Sequence, residues 1–109
     1  MPIELPQPIA DYFEADRSKD CQAIIRCFAK DAVVRDEGKR HVGHDAIRQW
    51  KAGVDSKYRY AAEPIAIAAD GDRAVVTSRV TGDFPGSPID LSYRFILSGD
   101  KIAELEIGL

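Results

Sequence analysis

27-CFAKDAVVRDEGKRHVGHDAIRQW-50, from Cys27 to Trp50, holds the end of one amphipathic helix, a short strand, a tight polar turn and the start of another helix. Asp31 to Asp36 reads as a strand because Ala32, Val33 and Val34 are small or β-branched. The DEGK that follows is a turn sequence, with Gly38 available for a positive φ. A return through Lys39 to Val42 makes a small hairpin. Gly43 and His44 then lead into a helix whose buried side is Ile47, Trp50 and Val54. Gly53 weakens its last turn, which places its end near Asp55. Asp36 falls where the strand's alternation stops, so its carboxylate stands at the mouth of whatever space the helices and the remaining strands enclose.

Upstream, Pro6 and Pro8 delay the first helix, since proline is tolerated only in a first turn. Beyond them Ile9, Tyr12, Phe13 and Asp16 recur at helical spacing on one stripe. Asp20 reads as the N-cap of a second helix with the stripe Ala23, Ile24, Cys27 and Phe28. Downstream of Lys57 the period changes to two. Tyr58 to Ala69 is a long strand interrupted at Pro64, which marks an edge or a bulge. Asp70-Gly71 signals a hairpin, and Arg73 to Phe84 follows with Ala74, Val76, Ser78 and Val80 on one face. After the loop DFPGSP, Ile89 to Ser98 puts Ile89, Leu91, Tyr93, Phe95 and Leu97 inward. Ser98-Gly99-Asp100 closes a last hairpin to Lys101 through Ile107, with Ala103, Leu105 and Ile107 on one side.

Three helices followed by a meander of four antiparallel strands is an α+β arrangement, with the helices gathered on one face of a curved antiparallel sheet. Helices cannot follow the curvature of a twisted sheet all the way, so a conical cavity is expected at its wide end. The 109 residues form a single domain, 1–109, able to bury a core without disulfide or metal. Fifteen basic and eighteen acidic side chains give a net charge of -3 with no long run of either sign. That balance offers no field for phosphate backbones or anionic lipid, so neither nucleic acid nor membrane is expected as a partner. Cys21 and Cys27 lie six residues apart on one helix, about 9 Å along its axis, too far to pair. Reduced cysteines, no span-length apolar run and the N-terminus MPIELPQP, which lacks a basic n-region and an apolar h-region, point to the cytoplasm.

Missing motifs narrow the chemistry. There is no Gly-rich phosphate loop, no GxSxG, no CxxC and no credible Ser/His/Asp arrangement, which sets aside nucleotide hydrolysis, serine esterase and thiol redox work. His41 and His44 form an H-x-x-H pair without a third ligand nearby, so neither metal nor cofactor is expected.

The order of elements, the segments CFAKDAVVRDEG and GHDAIRQW, and the closing YRF and GDKIAELEI resemble the nuclear transport factor 2-like superfamily over essentially the whole chain. Its SnoaL-like and ketosteroid isomerase-like branches are the nearest. The resemblance implies a cystatin-like α+β cone and a homodimer formed through the outer sheet face. It also implies that Asp36 matches the general base of the isomerases and Tyr12 their enolate-stabilising phenol, with Trp50 an aromatic against the ligand. Leu91 falls where those enzymes place a second, protonated acid donor. Leu91 cannot donate, and the loss of one oxyanion donor commonly costs about 2.7–4 kcal/mol.

Each of these residues has a purely structural reading beside the functional one. Asp36 would cap its turn by bonding backbone N–H groups. Tyr12, Trp50, Tyr93 and Phe95 would be core aromatics, with Tyr93 also able to offer a hydroxyl to a bound oxygen. His41 would be solvated, or an acid if it faces the cavity. Arg79, Arg94, Glu104 and Glu106 would pair across strands on the outer face. The readings left open are an isomerase- or cyclase-like proton-transfer enzyme with base Asp36 and donor Tyr12, a non-catalytic module holding a small hydrophobic molecule against Trp50, Tyr93, Leu91, Phe95 and His41, and a dimeric accessory domain.

Overall fold

The computed structural model describes residues 3–57 and 59–109. Helix α1, Gln7–Arg17, begins where proline permits, with Pro6 as its cap residue and Pro8 in its first turn. It buries Ile9, Tyr12, Phe13, Ala15 and Asp16, the expected stripe. Helix α2, Cys21–Cys27, starts at Asp20, whose side chain accepts from the Ala23 backbone N–H at 3.1 Å. Strand β1, Phe28–Asp36, takes Phe28 out of the expected helical stripe and begins directly after α2. Strand β2, Lys39–Val42, returns antiparallel to it, and α3, His44–Lys57, runs two residues past its expected end.

The rest of the chain is the meander β3 Tyr60–Asp70, β4 Arg73–Gly82, β5 Ile89–Ser98 and β6 Lys101–Gly108. The expected strand start at Tyr58 lies outside the described residues. Asp70 pairs with Arg73, so the hairpin turn is Gly71-Asp72, one residue beyond the expected pair. Pro64 sits on the edge strand β3, and the register shifts between Pro64 and Ala66. An edge and a bulge are the two places where a residue without an N–H is tolerated, and here they coincide.

Sheet order is β2-β1-β6-β5-β4-β3, and β1 runs parallel to β6. One mixed sheet of six strands therefore replaces a purely antiparallel meander, because the first hairpin is annexed by the last strand. A register shift at Ile96/Leu97 leaves Ala103 unpaired on β6, so Ile102 and Leu105 are both sealed in the core, and Ile102 takes the place expected of Ala103. Along β4, Ala74, Val76, Ser78 and Val80 face inward as their alternation requires. Outside, Arg79 pairs with Asp90 at 3.1 Å, Arg94 with Glu106 at 3.7 Å and Arg35 with Glu104 at 3.0 Å. No helix among the described residues is long and apolar enough to cross a membrane.

An aromatic cluster joins α1 to the sheet. The Tyr12 ring lies 5.9 Å from Phe28 and 5.8 Å from Phe95, and Phe13 lies 5.2 Å from Tyr93, all inside the range for favourable ring contacts. At the opposite end of β4, Gly82 lets β3 approach, since a Cβ there would meet the Arg59 carbonyl oxygen at 2.2 Å. Gly53 in α3 has nothing within 4 Å of an added Cβ. Gly82→Ala should therefore lose about 1–3 kcal/mol by overpacking against backbone, whereas Gly53→Ala should gain about 0.5–1 kcal/mol from helix propensity. Urea denaturation of the two variants checks both signs.

Candidate functional site

The site begins with the turn after β1. Asp36 pairs with Lys39, leaving Glu37 and Gly38 as a two-residue loop with φ of 54° and 75°. Positive φ at both positions matches the right-handed twist of a hairpin. For Glu37 it is an uncommon, mildly strained conformation. The tight turn ends β1 abruptly and leaves the Asp36 side chain half-buried at the rim of a hollow.

That hollow is a cavity of about 660 Å³ between α1, α3 and the inner face of the sheet. Its size is ordinary for a small-molecule pocket. Tyr12, Asp36, Trp50, Leu91 and Tyr93, named from sequence, all line it. Val54, Val80, Ile89 and Ile107 add apolar wall, and Phe84 and Pro85 of the β4–β5 loop reach its edge. Asp83 and Arg59 tie that loop down by reciprocal bonds of 3.0 Å, Arg59 N–H to the Asp83 carboxylate and Asp83 N–H to the Arg59 carbonyl.

Two named residues lie elsewhere. Phe95 is sealed beneath Tyr93, its ring stacked 6.4 Å away, and belongs to the core rather than the cavity wall. His41 lies against Trp50, ring centroids 6.2 Å apart, outside the cavity lining. Its neighbour His44 donates through Nε2 to the Phe28 carbonyl oxygen at 3.0 Å, which commits that imidazole to the backbone.

Trp50 does more than present a ring. Its indole Nε1–H donates to Asp36 Oδ2 at 3.0 Å, fixing the carboxylate at the cavity rim. Burial is the main cause that pushes the Asp36 carboxyl above its ordinary value, and the Trp50 hydrogen bond pulls part of the way back. The neighbouring Glu37 carboxylate adds a further push upward, and the Glu37 backbone N–H opposes it. Tyr12 and Tyr93 are 1% and 4% exposed, and burial drives both phenols well above their ordinary range. Neither hydroxyl makes a hydrogen bond to a described residue. Among the described residues the one sealed polar side-chain atom without a partner is Ser78 Oγ, so the two hydroxyls retain contact with open space on the cavity side.

A buried polar cluster closes one wall and was not foreseen. Lys51, 1% exposed, pairs with Asp16, with Asp55 at 3.3 Å and with the Tyr60 hydroxyl, which in turn donates to Asp16 Oδ1 at 3.0 Å. The ammonium's three protons have three acceptors. The pattern was available: Lys51 stands four residues after Ile47 and three before Val54 on the buried stripe, and Asp16 shares the stripe of Tyr12. A charge on each of two apolar stripes is the signature of a buried pair.

A second hollow of about 510 Å³ lies between α1 and α2, rimmed by Asp11, Glu14, Arg26 and Lys101. Its rim carries exposed charges of both signs, and burial pushes the Cys27 thiol there upward, away from nucleophilic use. The apolar cavity around Asp36 is the better site.

Over residues 9–105 the sequence matches the SnoaL-like domain family. A solved structure of a candidate polyketide cyclase from Sinorhizobium meliloti is 45% identical, with a TM-score of 0.93 and 95% of each chain covered. A protein of ketosteroid isomerase-like fold from Catenulispora acidiphila, in complex with trimethylamine, is 18% identical, with a TM-score of 0.85 over 97% of this chain and 87% of that one. A candidate polyketide cyclase from Pseudomonas putida is 20% identical, with a TM-score of 0.81 over 99% of this chain and 92% of that one. At the two lower identities the likeness is one of fold. No curated protein matches the chain.

Removing the buried cation should be costly, because it strands Asp16: Lys51→Met should lose about 3–5 kcal/mol in urea denaturation. Adding Asp16→Leu to that variant should recover most of the loss. For Asp36 the sign runs the other way. A folded-state pKa above the unfolded value near 3.8 means the folded protein holds the proton more tightly. The stability difference between wild type and Asp36→Asn should therefore fall as pH rises from that value through the raised one, then level off, in unfolding measured across pH.

Proposed function

The chain belongs to the SnoaL-like domain family, and from that premise we propose that its cavity takes a small hydrophobic carbonyl compound and moves a proton beside the carbonyl. One observation carries the reading: a half-buried carboxylate of raised pKa from the end of β1 and an unengaged phenol from α1 line the same largely apolar cavity. A carboxylate whose affinity for protons has been raised by desolvation is a stronger base than one in water. Trp50 holds it in place without neutralising it.

The step is simple in atoms. Asp36 removes a proton from the carbon next to the carbonyl, and the C–H electron pair becomes a C=C bond. The carbonyl π pair moves to oxygen, where the Tyr12 hydroxyl donates a hydrogen bond to the developing enolate. Asp36 then returns its proton to the same carbon or to one conjugated with it. An isomerisation and the opening step of an intramolecular aldol closure share this enolate. Similarity to a candidate polyketide cyclase at 45% identity supports the second course. Lys51 contributes nothing to this charge, because Asp16 and Asp55 already neutralise it.

Exchange of the α-protons of 1-tetralone, a two-ring ketone, in D₂O, followed by ¹H NMR, tests the proposal. Wild type should accelerate exchange over buffer, and Asp36→Asn should lose about a hundredfold or more of that rate, with its melting temperature at neutral pH unchanged or higher. Binding that persists in Asp36→Asn while wild type shows no exchange would identify a non-catalytic binding module instead.

A further inference from the structure

An enolate forming inside an apolar hollow needs more than one hydrogen bond, since each well-placed donor is commonly responsible for about a hundred- to thousandfold in rate. Five described residues lining the cavity carry side-chain donors: Tyr12, Trp50, Lys51, Tyr60 and Tyr93. Three are engaged elsewhere. The Trp50 indole is given to Asp36, the Lys51 ammonium to Asp16, Asp55 and Tyr60, and the Tyr60 hydroxyl to Asp16. Only the Tyr12 and Tyr93 hydroxyls remain, and neither bonds a described residue.

We infer that Tyr93 is a second oxyanion donor, acting with Tyr12 on one oxygen of a ligand that enters uncharged. The inference rests on the proton-transfer reading and deepens it. Tyr93 and Tyr12 come from different elements, β5 and α1, yet their ring centroids lie 6.5 Å apart with the rings tilted by 57°. Each ring is held by neighbours that leave it little freedom: Phe13 at 5.2 Å and Phe95 at 6.4 Å for Tyr93, Phe28 at 5.9 Å and Phe95 at 5.8 Å for Tyr12. Packing of this kind restrains both rings before a ligand arrives, which favours electrostatic preorganisation. Leu91, two residues before Tyr93 on the same inward face, lines the cavity as apolar wall, so the donor on this strand is displaced by one pleat toward the sheet interior.

The state of the phenols agrees. Burial, and after it the carboxylates Asp16 and Asp36, raise the pKa of Tyr93. Tyr12 is pushed up by burial, then Asp16, then Tyr93 itself. Both stay protonated and act by donating hydrogen bonds. The charge inventory then selects the ligand. Among the described residues the cavity wall carries the carboxylates Asp36 and Glu37, and its one cation, Lys51, is already paired, so a ligand carboxylate would meet repulsion that no described side chain offsets. A neutral ketone or phenol meets two donors and an apolar wall.

Tyr93→Phe removes one oxygen and no hydrogen bond to a described residue, so its melting temperature should match wild type. Its kcat for 1-tetralone exchange should fall about a hundred- to thousandfold with little change in KM. Its affinity for 2-naphthol, a phenolic oxygen on a similar frame, should fall by about tenfold. Wild type should bind 2-naphthoate at neutral pH at least about tenfold more weakly than 2-naphthol. If Asp36→Asn abolishes exchange and Tyr93→Phe exchanges like wild type, the Tyr93 inference is overturned and the base stands. If wild type itself fails to exchange, the proton-transfer reading falls, and the naphthol titration decides alone: a tenfold loss in Tyr93→Phe keeps Tyr93 as the oxygen contact of a binding site, and an unchanged affinity removes it.

Discussion

Lys51 is the point on which the open end of the molecule depends. Its ammonium is almost fully out of water and is held by acceptors from three elements, Asp16 on α1, Asp55 on α3 and Tyr60 on β3. An isolated charge could not exist there, and a hydrocarbon side chain would be free to slide toward other hydrocarbon. The ion pair therefore fixes the spacing of α1, α3 and the edge strand at the one place where aromatic packing stops. A space that would otherwise be filled by collapse is held open.

The electrostatics of the cavity follow from that arrangement. Because Lys51 is neutralised within its own cluster, the described residues of the wall present no free cation to the interior. Asp36 is left as an acid that feels mainly desolvation, with the Trp50 indole limiting how far its proton affinity rises. The phenols of Tyr12 and Tyr93 respond to the same carboxylates in the same direction, which keeps them as donors. In the proposed reaction these three groups form a coherent set, since the charge that Asp36 would create is one that two neutral hydroxyls on the same cavity wall could receive.

Much of this was legible in the chain before any coordinates. Periodicity exposed the stripe of α1, the capping role of Asp20, the β1–β2 hairpin and the inward row of β5, because each is a local pattern read within a dozen residues. The strand pattern placed Asp36 at a strand end and Leu91 and Tyr93 on an inward row, whereas Tyr12 and Trp50 were named for the cavity through the family resemblance. What escaped was non-local. Nothing in Asp31 to Asp36 says that its partner is a parallel strand some seventy residues later. The unpaired Ala103 exchanges which residues of β6 face inward, and a period-two reading has no means to detect one extra residue. Phe95 and His41 were assigned to the ligand by type, whereas depth beneath Tyr93 and the position behind Trp50 are properties of packing. Lys51 escaped because only the apolar members of its helix stripe, Ile47, Trp50 and Val54, were followed, although it lies on the same buried side.

The insertion of β6 between β1 and β5 has a bearing on how the molecule comes into being. While it is being synthesised, the first hairpin has an unpaired edge and nothing to add to, since the strand that will bridge it to the meander is the last of the six to leave the ribosome. Phe28, Ala32 and Val34, sealed from water in the finished sheet, have no β6 beside them until then. Pairing across so long a sequence separation is slow, so the cone can assemble only once β6 has been made. Nascent protein would pass through a stage in which an apolar hairpin edge is available to strangers, the circumstance in which a chaperone earns its place.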